Sequence, residues 1–231
     1  MEKVMASTLA ECAMKKKELP SAAYIAGGTE DLRLKQDAPS AVIPLAGLIE
    51  RKAEVRGDEV FLSSALTFSD LEASAIVPEP LKAAVRKMAS RALKNAATLG
   101  GNIAAKRCDS YLIPALLAYG ARLVIFSDKE KVCDLAKYVT KSCDCIILGV
   151  LLDPRVKVVT KRESLTSSSH AAVTSALSEK GYFTAVSGGG IFSSLEEALS
   201  ADIKDDITGS ASYKKYLVKE NHEILKEALN G

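Results

Sequence analysis

Apolar residues along the chain alternate between helical spacing and short continuous runs, which predicts a mixed α+β protein. Between Ala6 and Lys17, Leu9, Cys12, Ala13 and Lys16 fall at helical spacing, with Ser7 or Thr8 as cap and Pro20 as the stop. Ala22 to Ala26 is an apolar run that stops at Gly27-Gly28, the pattern of a buried strand entering a glycine turn. Thr29-Glu30-Asp31 then places carboxylates where a helix or turn start favours them. Ala41 to Leu45 and Glu59 to Ser64 read as strands, and Gly57-Asp58 as a hairpin turn between Val55 and Val60.

Thr67 to Glu72 opens another helix, where Ser69 and Glu72 have the spacing of a capping box. Pro78 and Pro80 break the chain, and Leu81 to Leu93 repeats apolar residues at helical spacing. Leu112 to Tyr119 is an apolar helix, followed by strands at Ala121–Phe126 and Cys145–Leu152. Past Asp153-Pro154 the character changes. Val156 to Thr160 alternates like a strand, Ser164 to Ser169 is a polar loop, and His170 to Ser178 suits either helix or strand. Ser187 to Gly190 is a turn, and Tyr213 to Leu229 an amphipathic helix. The expected division is therefore 1–154 and 155–231.

Composition narrows the function classes. Lys+Arg 31 against Asp+Glu 29 leaves a formal net charge of +2, which gives no electrostatic reason to expect nucleic acid or an anionic membrane. Aromatics are 5% with no Trp, so a base-stacking surface is not expected. No run approaches the roughly 18 apolar residues of a membrane span, and the first residues lack the pattern of a secretory signal. The five cysteines (Cys12, Cys108, Cys133, Cys143, Cys145) are read as reduced thiols of a cytoplasmic protein. Their spacing does not supply the four regular thiolates of an iron–sulfur cluster, and Cys143-Asp144-Cys145 is read as strand cysteine rather than metal ligand. No metal site is expected in the chain itself.

The chemistry is carried by two glycine elements, Ala26-Gly27-Gly28-Thr29-Glu30-Asp31 and Thr98-Leu99-Gly100-Gly101-Asn102. Each is read as a strand, a glycine pair and a polar donor. Glycines without Cβ allow close backbone approach and let successive N–H groups converge on a pyrophosphate. Thr29, Thr98 and Asn102 add side-chain donors. Neither segment has the spacing of the dinucleotide fingerprint or of the phosphate-binding P-loop. Each pair alone also suits a plain turn.

At these residues the chain resembles the FAD-binding subunit of the molybdenum hydroxylases, the xanthine dehydrogenase and carbon monoxide dehydrogenase medium-subunit type. Ala26 to Leu32 is similar to the family's A-G-G-T-D-L signature, with one extra acidic residue. Lys94 to Ala104 matches R-N-x-A-T-x-G-G-N-I-A, Ser110 to Ala118 matches S-D-L-L-P-A-L-L-A, and Gly209 to Leu217 is similar to the closing R-x-S-x-x-Y-R-x-x-L helix. The resemblance implies an α+β chain with the FAD-binding fold of p-cresol methylhydroxylase and vanillyl-alcohol oxidase. That fold would have two subdomains (about 1–55 and 56–154) forming the FAD cleft, followed by a small α+β C-terminal domain over 155–231. It implies that Ile25, Ala26, Gly27, Gly28, Thr29, Glu30 and Asp31 hold the FAD pyrophosphate. Ala97, Thr98, Gly100, Gly101, Asn102 and Ser110 would line the flavin and its phosphate–ribose stem. Lys161 would stand near the isoalloxazine edge, where a cation stabilises the anionic reduced flavin.

The implied function is electron transfer. Electrons from a molybdopterin-binding large subunit would cross [2Fe–2S] clusters in a small subunit, reduce non-covalent FAD here and pass to NAD+ or another acceptor. The chain departs from the pattern at Tyr111, where the family has an aspartate, at Met88, where relatives can place an aromatic residue, and at Leu165 and Thr166, where they place arginines. These departures are similar to the reduced flavin subunits of selenium-dependent xanthine dehydrogenase-like enzymes. They leave two alternatives, a scaffold subunit of the same complex without flavin and a stand-alone flavin-dependent reductase. His170 and His222 are read as structural or surface residues, Lys15 to Lys17 as a solvated helix end and Asp202 to Asp206 as an acidic surface loop.

Overall fold

The computed structural model describes residues 2–30, 39–88, 90–141, 143–166 and 169–231. A short strand β1 (Glu2–Lys3) precedes helix α1 (Leu9–Glu18), whose start is fixed by the Thr8 hydroxyl accepting from the Glu11 N–H at 3.1 Å. Strands β2 (Ala23–Ile25) and β3 (Ala41–Pro44) follow, and β3 lies between β1 and β2 in a parallel sheet. Strands β4 (Ala53–Arg56) and β5 (Glu59–Ser63) form the expected hairpin, with Val55 opposite Val60 and Gly57 at φ +62° in the turn. That left-handed backbone suits glycine.

Helix α2 (Phe68–Ala73) does carry a capping box, but its members are Thr67 and Asp70 rather than Ser69 and Glu72. Phe68 and Leu71 must be buried, which starts the helix two residues earlier and turns Ser69 outward to donate to Asn95 Oδ1. The expected helix over Leu81–Leu93 is two helices, α3 (Glu79–Arg86) and α4 (Arg91–Ala96). The extended backbone of Ser90 starts α4, and its hydroxyl accepts from the Leu93 N–H. The second glycine element also differs from expectation. Gly100 to Asn102 are the opening of a helix, α5 (Leu99–Ala105), and not a turn after a strand.

Helix α6 (Leu112–Ala118) is buried at every position. Strand β6 (Arg122–Phe126) pairs with β7 (Glu130–Asp134), which runs into α7 (Leu135–Thr140). Strand β8 (Ile146–Leu152) completes a sheet of order β4-β5-β8-β6-β7. The last part of the chain is an antiparallel meander of β9 (Val159–Ser164), β10 (Ala171–Ser178), β11 (Gly181–Val186) and β12 (Gly190–Phe192), joined by α8 (Leu195–Ser200) and α9 (Ala211–Asn230). The ambiguous segment 170–178 is thus a strand, buried at every position of β10.

Two compact units result. One contains residues 1–76, 90–105 and 122–151, the other residues 77–89, 106–121 and 152–231. In the first, Cys12, Ala22, Ala41, Ile43 and Ile146 share a core. In the second, Val173, Val186, Phe192, Ala198, Leu217, Val218 and Leu225 form another beneath α9.

Candidate functional site

In the first unit, strand β2 delivers Ile25 and Ala26 to the Gly27-Gly28 turn. Ile25 is tied to the sheet by its carbonyl, which accepts from the Leu45 N–H at 2.8 Å. Gly28 has φ +66°, a conformation that L side chains rarely adopt. Gly27 is needed for a different reason. A Cβ there would stand 1.9 Å from the Ala96 carbonyl oxygen, and 3.4 Å from the Ala97 Cα. The absent side chain therefore lets the first glycine turn close directly onto the entrance to the second glycine element. Two segments far apart in sequence are brought together at backbone distance.

The two segments contribute differently. Among the described residues, none accepts a hydrogen bond from the N–H of Gly27, Gly28 or Thr29, and all three residues are half-buried. In the second element the donors are already used. Leu99 N–H donates to Leu66 O, Gly100 N–H to Ser64 O, Gly101 N–H to Thr98 Oγ1 and Asn102 N–H to Thr98 O. Gly100 is small because a Cβ would meet the Ser64 Cβ at 2.6 Å, whereas Gly101 is exposed and meets only Thr98 Oγ1, at 3.0 Å. Ala97 and Asn102 are half-buried and Thr98 is buried. The arrangement fits an anionic, phosphate-bearing group: backbone N–H groups on the first segment without an acceptor among the described residues, beside the glycines that open α5. Glu30 closes the described part of this turn, and Asp31 lies outside the described residues.

Ser110 and Lys161 belong to the second unit. Ser110 is buried, its hydroxyl accepting from the Ile113 N–H at 3.2 Å to hold the start of α6. Lys161, on β9, has its ammonium 2.9 Å from Glu163 Oε1, since alternate strand residues share one face. Met88 is half-buried just past α3. Tyr111 is buried, and its hydroxyl accepts from the Ala171 N–H and from Arg162 Nη2, each at 3.1 Å. The Arg162 guanidinium also lies over the Tyr111 ring, 4.9 Å from its centroid. Arg162 thus holds β9 to the α6 entrance, a role for which the only sequence signal was a second cation beside Lys161.

Several expectations outside the site are corrected. Lys16 is not solvated: its ammonium donates to the Pro20 and Ala22 carbonyls at 2.6 and 2.8 Å, satisfying the chain beyond α1. Asp206 lies in the expected exposed acidic loop, but it also holds a buried partner. It accepts from the fully buried Lys214 at 2.8 Å, from Ser187 and from Thr208. Burial opposes its ionisation, but these donors outweigh that and hold the carboxyl well below the usual range. Cys145 is buried directly ahead of β8, while Cys143 is exposed and outside the strand.

The glycine segments and the fold that carries them are those of a family of FAD-binding domains. Residues 1–152 match the family model of the FAD binding domain in molybdopterin dehydrogenase, and the chain belongs to that family. Its fold is that of chains in carbon monoxide dehydrogenase from Hydrogenophaga pseudoflava, with TM-score 0.83, 16% identity and coverage of 98% of this chain and 97% of that one. Quinoline 2-oxidoreductase from Pseudomonas putida 86 is similar in fold, with TM-score 0.80, 16% identity and coverage of 97% and 95%. In sequence the chain is similar to the uncharacterized protein YgfM of Escherichia coli K12, 29% identical over 161 residues. That alignment takes in 61% of each, so the chain spans about 61% of the length of the curated relative it matches. No described helix is long and apolar enough to cross a membrane.

Proposed function

We propose that this chain is the FAD-binding electron-transfer subunit of a multi-subunit molybdenum hydroxylase of the xanthine dehydrogenase-like type, working in the cytoplasm. The observation that carries the reading is the closure of the Gly27-Gly28 turn onto Ala96-Ala97 while the N–H groups of Gly27, Gly28 and Thr29 have no acceptor among the described residues. Ile25, Ala26, Gly27, Gly28, Thr29, Glu30 and Asp31 would hold the pyrophosphate. Ala97, Thr98, Gly100, Gly101, Asn102 and Ser110 would hold the flavin and its stem, and Lys161 would lie toward the ring. FAD supplies storage for two electrons. The residues bind and orient it, and the ion pair with Glu163 tempers the field that Lys161 offers a reduced ring. A molybdopterin-binding large subunit and a [2Fe–2S] small subunit would deliver the electrons, and NAD+ or another acceptor would remove them. The match of the family model to residues 1–152 also supports the division into a FAD-binding domain over 1–154 and a C-terminal domain over 155–231.

Titration of the purified chain with FAD tests this. The expected result is a shifted flavin band and saturable fluorescence quenching near one equivalent, with little NAD(P)H turnover until the partner subunits are added. Turnover with NADH by the chain alone would replace the reading with a free reductase. No binding at any FAD concentration, alone or with partners, would replace it with the scaffold, a reading that the full engagement of Tyr111 and Lys161 by protein groups favours.

A further inference from the structure

The chain has two histidines, and their settings differ. His222 is 17% exposed, edge-on to Tyr182 with ring centroids 5.0 Å apart, its Nδ1 3.0 Å from Glu223. His170, at the entrance to β10, is 67% exposed, and its Nδ1 lies 2.9 Å from Asp109 Oδ2. The Asp109 side chain is only 9% exposed, yet both its oxygens are used. Arg107 donates to Oδ1 through Nε at 2.7 Å and to Oδ2 through Nη2 at 2.8 Å. Burial works against ionisation of Asp109, but Arg107 and then His170 outweigh it and hold the carboxyl below its usual range. The segment begins at Lys106, a non-glycine residue at φ +45°, a backbone state that costs energy and that recurs at functional sites.

An ionised carboxylate only accepts hydrogen bonds, so the ring must direct an Nδ1–H at Asp109. In the neutral ring this leaves the Nε2 lone pair toward solvent, and in the charged ring Nε2 carries the exchangeable proton. A histidine fixed in one tautomer by a buried acid is how proteins prepare a group for proton transfer. The ring is paired with Asp109, which Arg107 holds from behind, and Arg162 donates to the carbonyl of the preceding residue, Ser169.

Resting on the function proposed above, this pair has a task. Reduction of a flavin by two electrons from one-electron carriers consumes one proton, which iron–sulfur clusters do not bring. We propose that Asp109 and His170 form a proton-transfer dyad, in which Asp109 positions the ring through Nδ1 and His170 releases that proton from Nε2 and regains one from water. Asp109 directly precedes Ser110, one of the proposed cofactor residues.

The dyad is tested first without flavin. Imidazole 15N spectra of the free chain, assigned with His222→Gln and taken well above the usual histidine pKa of about 6.5, should show His170 as the Nδ1–H tautomer. Asp109→Ala should return it to the Nε2–H form of free imidazole, and Arg107→Gln should leave it as Nδ1–H. An Nε2–H ring in the wild type overturns the dyad. The FAD-loaded chain is then reduced by methyl viologen radical as one-electron donor across a range of pH. The wild-type rate should fall in a step as the pH is raised. His170→Gln should lose that step and be slower by roughly 10²-fold at low pH, with added imidazole restoring the rate. Identical profiles for wild type and His170→Gln overturn the proton role. Absence of FAD binding by the wild type would instead count against the flavin function, while the tautomer result still decides the dyad.

Discussion

A methyl group on residue 27 would stand 1.9 Å from the Ala96 carbonyl oxygen and 2.8 Å from its carbon, against main chain that has no side-chain freedom with which to yield. Gly27→Ala should therefore push the two glycine segments apart, at a cost of about 1–3 kcal/mol, and weaken FAD binding together with stability in a joint denaturation and titration experiment. Gly101 provides the contrast. It is exposed in α5, and a Cβ there meets only Thr98 Oγ1, so Gly101→Phe should leave the denaturation midpoint nearly unchanged while abolishing flavin quenching. If both variants lose stability equally, the difference between a packing glycine and a site glycine is wrong. Lys214 and Asp206 make a third residue-scale case. Asp206→Ala leaves the ammonium of the fully buried Lys214 without its carboxylate, and should cost about 3–5 kcal/mol in urea unfolding. Because the folded Asp206 carboxyl is held below its unfolded value, the stability it contributes is complete above the unfolded pKa of about 3.9. It is lost as pH falls through the lower folded value. The wild type should lose stability on acidification below about pH 4, and Asp206→Asn should flatten that loss.

Among elements, strand β8 shows how a single glycine sets a sheet. Gly149 pairs with Val124 and Ile147 with Ile125, so Leu148 is the extra residue of a bulge, and its carbonyl accepts from Ser64 N–H at 2.9 Å. Ser64 is the same residue that receives Gly100. A Cβ on Gly149 would meet the Phe61 ring at 2.4 Å and the Leu62 carbonyl at 2.7 Å. Gly149→Val should thus displace β5, cost more than 1 kcal/mol or so and weaken FAD binding through the Ser64–Gly100 contact, as read by thermal unfolding and flavin titration. Unchanged flavin affinity in a destabilised Gly149→Val would separate the bulge from the site. Elements of this kind were only partly legible in the sequence. The β4–β5 hairpin was readable to the residue because Gly57-Asp58 interrupts a period-2 pattern locally. The glycine helix α5 was not, since two glycines with an asparagine look like a turn. What makes them helical is the bridge of Thr98 to Thr67 and the pairing of Leu99 and Gly100 with residues near 65, all contacts made at a distance. The same limit explains β7, α7 and β11, which local periodicity left unread. The glycine motifs named the candidate site, but not the use of Gly27 and Gly100 for packing, because neither Ala96 nor Ser64 carries any mark of its partner.

For the whole molecule, the site predicts how the cofactor is held as well as that it binds. The donors without an acceptor among the described residues lie on Gly27, Gly28 and Thr29, suited to phosphate oxygens, whereas the ring-side candidates Lys161 and Tyr111 already have protein partners. Affinity should then come mainly from the pyrophosphate half of FAD. A ligand that binds only the folded chain stabilises it by about 2.7 kcal/mol at a hundredfold excess over its Kd, which for a protein of this size raises Tm by roughly 5–10 °C. FAD should produce that shift in differential scanning fluorimetry. ADP, which carries the pyrophosphate and no ring, should reproduce most of it and compete with FAD. Riboflavin, which carries the ring and no phosphate, should produce almost none. Phosphate-borne affinity should also weaken as salt screens the anion, so the FAD shift should shrink between low and high ionic strength while the Tm of the free chain moves less. A riboflavin shift equal to that of FAD would transfer the binding energy to the ring and remove the glycine cradle from its central place.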